Sequence, residues 1–311
     1  MSRVLVTGAS GFIGRHAVVA LRDRGHDVVA VRSRRGVAVN PSEGVTWRSV
    51  DLHDQGAARA VVDEVRPDSL LHLAWCAEHG KFWDAPENLT WAGSTLNLLR
   101  AFTEAGGRRA VFAGTCAEYR WADLIAPLDE RAAAVEPATL YGAAKHGTHE
   151  IAAAYARQTG LSIAWGRVFF TFGPGEPTGR LVPSVALRLL EGQVAPVTSG
   201  HQVRDFLPVE DLGDAFAALL GSGVEGPVNL ASGRGVALRE VIAEVAKLVG
   251  RPELVEFGAV AQKPGEPHLI VADVGRLADE VGWMPREPLS EGLRRTVAWW
   301  ERQAARRGAA S

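Results

Sequence analysis

The chain has 311 residues, 47% apolar and 23% charged, with a formal net charge of −2. That is ample for a large buried core, and it excludes the strongly basic balance of a nucleic-acid groove or an anionic-membrane binder. Its two cysteines, Cys76 and Cys116, cannot staple a chain this long and read as reduced cytosolic thiols, and no apolar run approaches the roughly 20 residues of a membrane span.

The opening "MSRVLVTGASG" reads as a strand rather than a leader-like apolar run, so a cytoplasmic protein is expected. Runs at 3–8, 27–33, 46–52, 69–75, 109–115 and 161–170 have the continuous apolar character of parallel strands covered on both faces. Helical periods lie between them at 12–24, 55–65, 87–105 and 139–158. This alternation predicts an α/β fold with a doubly wound parallel sheet. From Phe170 onward the pattern changes: "TFGPGEPTGR" is turn-rich, and shorter elements follow. They are a helix near 181–191, a strand around 226–231, a helix over 236–249 and an amphipathic closing helix over 290–306. The "NLT" sequon at Asn88 carries no weight without a secretory signal.

"VTGASGFIG" follows the first strand and opens a helix, with Gly8, Gly11 and Gly14 at the turn. Glycines there let the backbone approach a pyrophosphate, which then rests on free N–H groups at the helix start. Phe12 and Ile13 belong to the same turn and are expected to bind cofactor with the glycines. The second strand ends "VAVRSRRG", with Arg32, Ser33, Arg34 and Arg35 where an NAD-preferring fold carries an acid for the ribose hydroxyl. Asp27 lies too early to serve. Guanidinium groups suit a 2′-phosphate, so NADP(H) is favoured, with NAD(H) as the alternative cofactor and a solvated basic loop as the bland reading. Asp51 and Leu52, at the end of the third strand, are placed to cap the adenine. The expected organisation is a dinucleotide-binding Rossmann domain over 1–168 and a mainly substrate-binding α/β region over 169–311. Segments around 203–222 are expected to pack back on the first domain.

"TLYGAAKHG" places Tyr141 and Lys145 at i and i+4, on one face of a helix and about 6 Å apart along it. A phenol titrates near 10, too high to exchange protons freely at neutral pH. A nearby ammonium and a positive nicotinamide both favour phenolate, so Lys145 is expected to lower the Tyr141 pKa and to bind the nicotinamide ribose. Thr115, in "VFAGTCAEYRW", could donate a hydrogen bond to a carbonyl oxygen that gains charge. Cys76 and Cys116 have no base that would make either a nucleophile, and His72, His79 and His146 have no ligand spacing, so no metal site is expected.

With these residues in view, the sequence resembles the extended short-chain dehydrogenases/reductases, the group of nucleotide-sugar epimerases, dehydratases and ketoreductases. The resemblance runs through "TGASGFIG", "HLAW" at 72–75, "NLTWAGSTLNLL" at 88–99 and the Thr115, Tyr141 and Lys145 set. It continues through "GRVFFTFGPG", "RDFLPVEDL", "GPVNLASG" and "KPGEP". It implies that Thr115, Tyr141 and Lys145 are the catalytic hydroxyl, the acid/base and its activator, and that Leu73 and Ala74 border the cofactor. It also implies that Arg204 and Lys263 hold the diphosphate of a nucleotide-sugar substrate; taken alone, either cation fits a surface ion pair equally well. A homodimer built on the segments 87–105 and 139–158 is a further implication.

This chain departs from the family pattern at informative places. Dehydratases carry Asp and Glu where this sequence has Cys116 and Ala117, and decarboxylating relatives also want a carboxylate at the Ala117 position. Elimination of water is therefore not expected. Phe170 replaces a common Asn, and Arg180 stands at another contact position, so with Cys116 these residues are expected to line an unusual substrate pocket. Trp75, Phe82, Trp83, Phe169 and Phe170 crowd the same region and read mostly as core. The favoured function is NADPH-dependent reduction of a nucleotide-linked 4-keto-6-deoxysugar. The alternatives are an NAD-dependent nucleotide-sugar epimerase, a reductase of non-nucleotide ketones or aldehydes, and a non-catalytic dinucleotide-sensing regulator.

Overall fold

A computed structural model describes residues 2–33, 44–76, 78–122 and 124–308. Arg34 and Arg35 of the expected basic loop lie outside the described residues. Seven parallel strands form the central sheet: β1 (Arg3–Thr7), β2 (Asp27–Arg32), β3 (Val45–Ser49), β4 (Ser69–His72), β5 (Arg109–Thr115), β6 (Ser162–Val168) and β10 (Gly226–Leu230). Their order across the sheet is β10-β6-β5-β4-β1-β2-β3. The winding reverses between β1 and β4, which leaves a crevice beyond the carboxyl ends of those two strands, the usual seat of a ligand in such sheets.

Helices cover both faces, as continuous apolar strands require. On one side α1 (Gly14–Asp23) and α6 (Val209–Gly221) bury Val18, Leu21, Leu212 and Phe216 against the sheet. On the other, α2 (Gln55–Val65), α3 (Glu87–Glu104) and α4 (Leu140–Thr159) bury Val61, Leu98, Phe102 and Ala152. Local chemistry sets the ends of these helices. Asp54 accepts the Ala57 N–H at 3.1 Å at the start of α2, and Thr139 accepts the Gly142 N–H at 3.2 Å at the start of α4. Gly160 closes α4 with φ of 73°.

The single strand expected over 161–170 is two. The chain leaves the central sheet after Val168, and β7 (Phe170–Phe172) pairs with β9 (Val203–Pro208) in a second sheet. The change of sheet falls at Phe169, which is buried against Tyr119 and Cys116 in a separate apolar cluster. The second sheet also takes β11 (Gly235–Ala237) and β13 (Leu269–Ile270), while β8 (Ala195–Val197) pairs with β12 (Val255–Phe257). Around them α5 (Leu181–Leu190), α7 (Leu238–Val249) and α8 (Leu289–Gly308) share one core through Val185, Leu189, Ile242, Val245 and Leu293. The chain's return to the central sheet goes further than 203–222, because β10 supplies the seventh strand beside β6. Among the described residues, no helix is long and apolar enough to cross a membrane.

Phe216 is fully buried where α6 meets the sheet. Phe216→Ala should cost about 3–5 kcal/mol, read as a lower denaturation midpoint in guanidinium; an unchanged midpoint would contradict this packing.

Candidate active site

The crevice at the winding reversal is built on the glycine turn. Gly8 has φ of 67°, and a Cβ there would lie 2.6 Å from the Ala74 backbone nitrogen. A Cβ on Gly14 would lie 2.1 Å from the Gly8 carbonyl oxygen. Only glycine lets the turn after β1 fold this tightly against the end of β4, and the loop leading into α1 lines a pocket of about 390 Å³. Gly11, Phe12 and Ile13 line the same pocket, followed by Leu73 and Ala74 across the crevice. At the far end it is bounded by Arg32, Ser33, Asp51 and Leu52. The Arg32 Nε donates to the Ser49 hydroxyl at 3.1 Å, which holds the guanidinium at the end of β2. A glycine cradle, a helix start and a cation at the distal end fit the phosphates of a dinucleotide.

Thr115, Tyr141 and Lys145 come together next to this pocket. Thr115 is the last residue of β5, and its hydroxyl accepts the Ala117 N–H at 3.2 Å. The Tyr141 N–H donates to the Trp83 carbonyl at 2.9 Å. Burial pushes the Tyr141 phenol well above its ordinary value, while the adjacent Thr115 hydroxyl and, at longer range, Arg180 pull it back. The direct contacts of the Lys145 ammonium are with other groups. Its Nζ donates to the Ala113 carbonyl at 2.7 Å and lies 3.8 Å from the centre of the Trp75 ring. Burial pulls the Lys145 pKa down to about 7, against the opposing charge of Glu118.

Glu118 is a residue to which the sequence alone assigned no role. It is fully buried and folds back beneath Thr115. Its Oε1 accepts the Thr115 N–H and the Trp165 indole N–H, both at 2.8 Å, and its Oε2 accepts from Arg167 Nε at 2.9 Å. With the Thr115 hydroxyl on the first turn this makes a capping box, and the T-x-x-E spacing was the available signal. His146 and His149 bring ring nitrogens within 4.8 Å of the carboxylate. Both Glu118 oxygens already carry donors, one of them cationic, and neither imidazole hydrogen-bonds to them.

The expected substrate residues divide. Cys116 is buried, and burial pushes its thiol up to about 12, so it transfers no proton near neutrality. Ala117 has no group that could. Arg180 lines the pocket, with Nε 2.9 Å from Glu176, and the His79 imidazole pKa is lowered chiefly by burial and then by the charges of Arg180 and the exposed Lys263. Arg204 is neither exposed nor free: it is buried beside Glu266 at 3.2 Å and donates to the carbonyls of Val203 and His268. The Phe170 ring lies 5.5 Å from the Arg204 guanidinium. Phe169 is core, as read, whereas Trp75, Phe82 and Trp83 are only partly buried. The Phe82 and Trp83 rings stand edge-on to Tyr141 at 4.8 and 5.9 Å and form a wall of the site. His72 bridges the Thr7 hydroxyl at 2.7 Å and the Thr95 hydroxyl at 2.9 Å, and burial keeps it neutral, with a pKa of about 3.

A buried lysine leaves a signature in stability. Below about pH 7 folding carries the full penalty of the buried ammonium; between about 7 and the ordinary 10.5 only the unfolded chain keeps the proton. Stability should therefore rise with pH across that window through this group. Lys145→Met should flatten that part of the profile, measured as denaturation midpoints over the same range; an unaltered slope would contradict the assignment.

Three comparisons bear on these features. The model of the NAD dependent epimerase/dehydratase family matches residues 4–231. The chain is 30% identical to the UDP-glucose 4-epimerase of Azospirillum brasilense, covering 96% of this chain and 92% of that protein. It is 28% identical to UDP-glucuronic acid decarboxylase 1 of Xenopus tropicalis, over 97% of this chain and 72% of that one. The crystal structure of the Thermus thermophilus UDP-glucose 4-epimerase in complex with NAD superposes with a TM-score of 0.85 at 30% identity, covering 96% of this chain and 98% of the other. The match spans the glycine cradle, the central sheet and the Thr115, Tyr141 and Lys145 set, and on that ground the chain belongs to the NAD-dependent epimerase/dehydratase family of enzymes, within the extended short-chain dehydrogenases/reductases.

Proposed function

We propose that this enzyme reduces the 4-keto group of a nucleotide-linked 6-deoxysugar with NADPH. The observation that carries the reading is the pairing of an intact Thr115, Tyr141 and Lys145 set with a strand end where Cys116 and Ala117 carry no carboxyl group and Glu118 is fully engaged by its own donors. The bound nicotinamide supplies the hydride. Thr115, fixed through its backbone by Glu118, presents its hydroxyl to the sugar carbonyl oxygen. Tyr141, kept protonated by burial, gives that oxygen its proton, and the Lys145 ammonium steadies the phenolate left behind. Cys116 and Ala117 provide no carboxyl group for elimination or decarboxylation. Support for NADPH over NADH comes from Arg32 and Ser33 at the adenosine end of the pocket. Arg180 and Lys263 give the outer end a cationic character suited to a diphosphate, with Arg204 ordering the segment that carries Lys263.

A second reading, an NAD-dependent nucleotide-sugar epimerase, is favoured by the 4-epimerases to which the chain is 30% identical. The two readings separate on cofactor balance: a reductase consumes one reduced cofactor per product, and an epimerase consumes none. The same proposal includes a homodimer through α3 and α4, which expose Leu89 and Ile151. Sedimentation as a monomer at micromolar concentration would exclude that assembly.

Incubation with a panel of 4-keto nucleotide sugars should oxidise NADPH stoichiometrically. Interconversion of unoxidised sugars on NAD, with no net cofactor turnover, would replace this reading by the epimerase. Tyr141→Phe should lower turnover by about 10²–10⁴-fold. Arg32→Asp should move cofactor preference toward NADH by about tenfold or more, read as the ratio of kcat/KM values. Unchanged preference would remove the argument for NADPH.

A further inference from the structure

Trp75 follows β4, read from sequence as core, yet its indole joins two parts of the site. One part of it lines the dinucleotide pocket, and its face carries the buried Lys145 ammonium 3.8 Å from the ring centre. Its Nε1 donates to Asn88 Oδ1 at 2.8 Å, and Trp91 stacks alongside at 6.3 Å. Asn88 is itself fully buried, and its amide group donates to the carbonyls of Phe82 at 2.8 Å and Ala85 at 2.9 Å. That fixes the turn whose aromatic rings flank Tyr141 and whose Trp83 carbonyl takes the Tyr141 N–H. The seat of the lysine and the wall of the tyrosine therefore share one anchor.

An ammonium has three protons to satisfy and is expensive to bury. Here one goes to the Ala113 carbonyl, and the indole face is the other direct contact. The remaining groups that face it are few. Glu118, on the turn after β5, favours the charge through space; His72 on β4 is neutral; and Tyr141 on the same helix is a neutral phenol. An aromatic face attracts a desolvated cation without adding a charge of its own.

We propose that Trp75 is the positioning residue of Lys145, its indole locked by Asn88 so that the ring face holds the ammonium protonated at the edge of the dinucleotide pocket. The proposal rests on the role of Lys145 in the reaction proposed above. The test replaces Trp75 with a multiply fluorinated tryptophan, which keeps the shape and the N–H but weakens the face, and separately makes Trp75→Phe. Trace acetylation of the cofactor-free protein across pH, read by mass spectrometry of the peptide containing Lys145, gives the titration midpoint of that lysine. From about 7 in the parent chain, fluorination should lower the midpoint by about half a unit or more. In that variant kcat should fall with substrate KM unchanged. Trp75→Phe should lie between the two. An unmoved midpoint in the fluorinated protein overturns the proposal, even if Lys145→Met is inactive and the catalytic reading stands. A lowered midpoint together with a fully active Lys145→Met would instead overturn the catalytic reading and leave the contact between Trp75 and Lys145 standing.

Discussion

The end of β5 that carries Thr115 depends on one carboxylate held away from water. Glu118 collects a backbone N–H from Thr115, an indole N–H from Trp165 and a guanidinium N–H from Arg167, the last two both on β6. Neighbouring strands are therefore stitched by side chains just where their ladder runs out. Removing one partner of a buried pair of this kind strands a charge and typically costs about 3–5 kcal/mol, a large share of the stability of an ordinary domain. Gly114 is required beside it, since a Cβ there would lie 2.2 Å from the Trp165 indole nitrogen. Gly142 plays the matching part on α4, where a Cβ would meet the Ala117 carbonyl at 2.3 Å. Two glycines and one carboxylate thus set the approach of the helix that carries Tyr141 and Lys145.

The same arrangement governs charge. Three ionisable side chains around the end of β5 are displaced from their ordinary values chiefly by burial: the thiol of Cys116 and the phenol of Tyr141 upward, the ammonium of Lys145 downward. All three shifts favour the neutral form. The negative charge of Glu118 is the opposing influence on Lys145, and it is fixed in place by the donors gathered around it. Charges buried this deeply act on one another more strongly than they would in water.

Much of this architecture was legible in the amino-acid order. Continuous β-branched runs alternating with helical periods identify the parallel sheet, because a strand buried on both faces has no polar positions to interrupt it. The glycine turn and the i, i+4 pair of Tyr141 and Lys145 are local patterns and survive folding unchanged. What escaped was set by tertiary contact. The break at Phe169 lies inside an unbroken apolar run, where periodicity carries no mark of a change of sheet. Arg204 read as a diphosphate ligand or a surface ion pair, and its burial beside Glu266 depends on a loop more than 60 residues away. Trp75, Phe82 and Trp83 resembled core by composition alone, and their partial exposure follows from where the turn after β4 lies.

The position of β10 has a consequence for how the chain is assembled. The seventh strand follows the first six only after β7, β8, β9, α5 and α6 have been laid down, and it closes the open side of β6. A fragment ending near residue 168 would leave that hydrogen-bonding edge unpaired and would strip α6 from the apolar face it shares with α1. Bare edges of this kind recruit other chains. The segment carrying β7, α5, β8 and β9 is thus inserted between two pieces of the central sheet, which becomes a finished surface only when residue 230 has joined it.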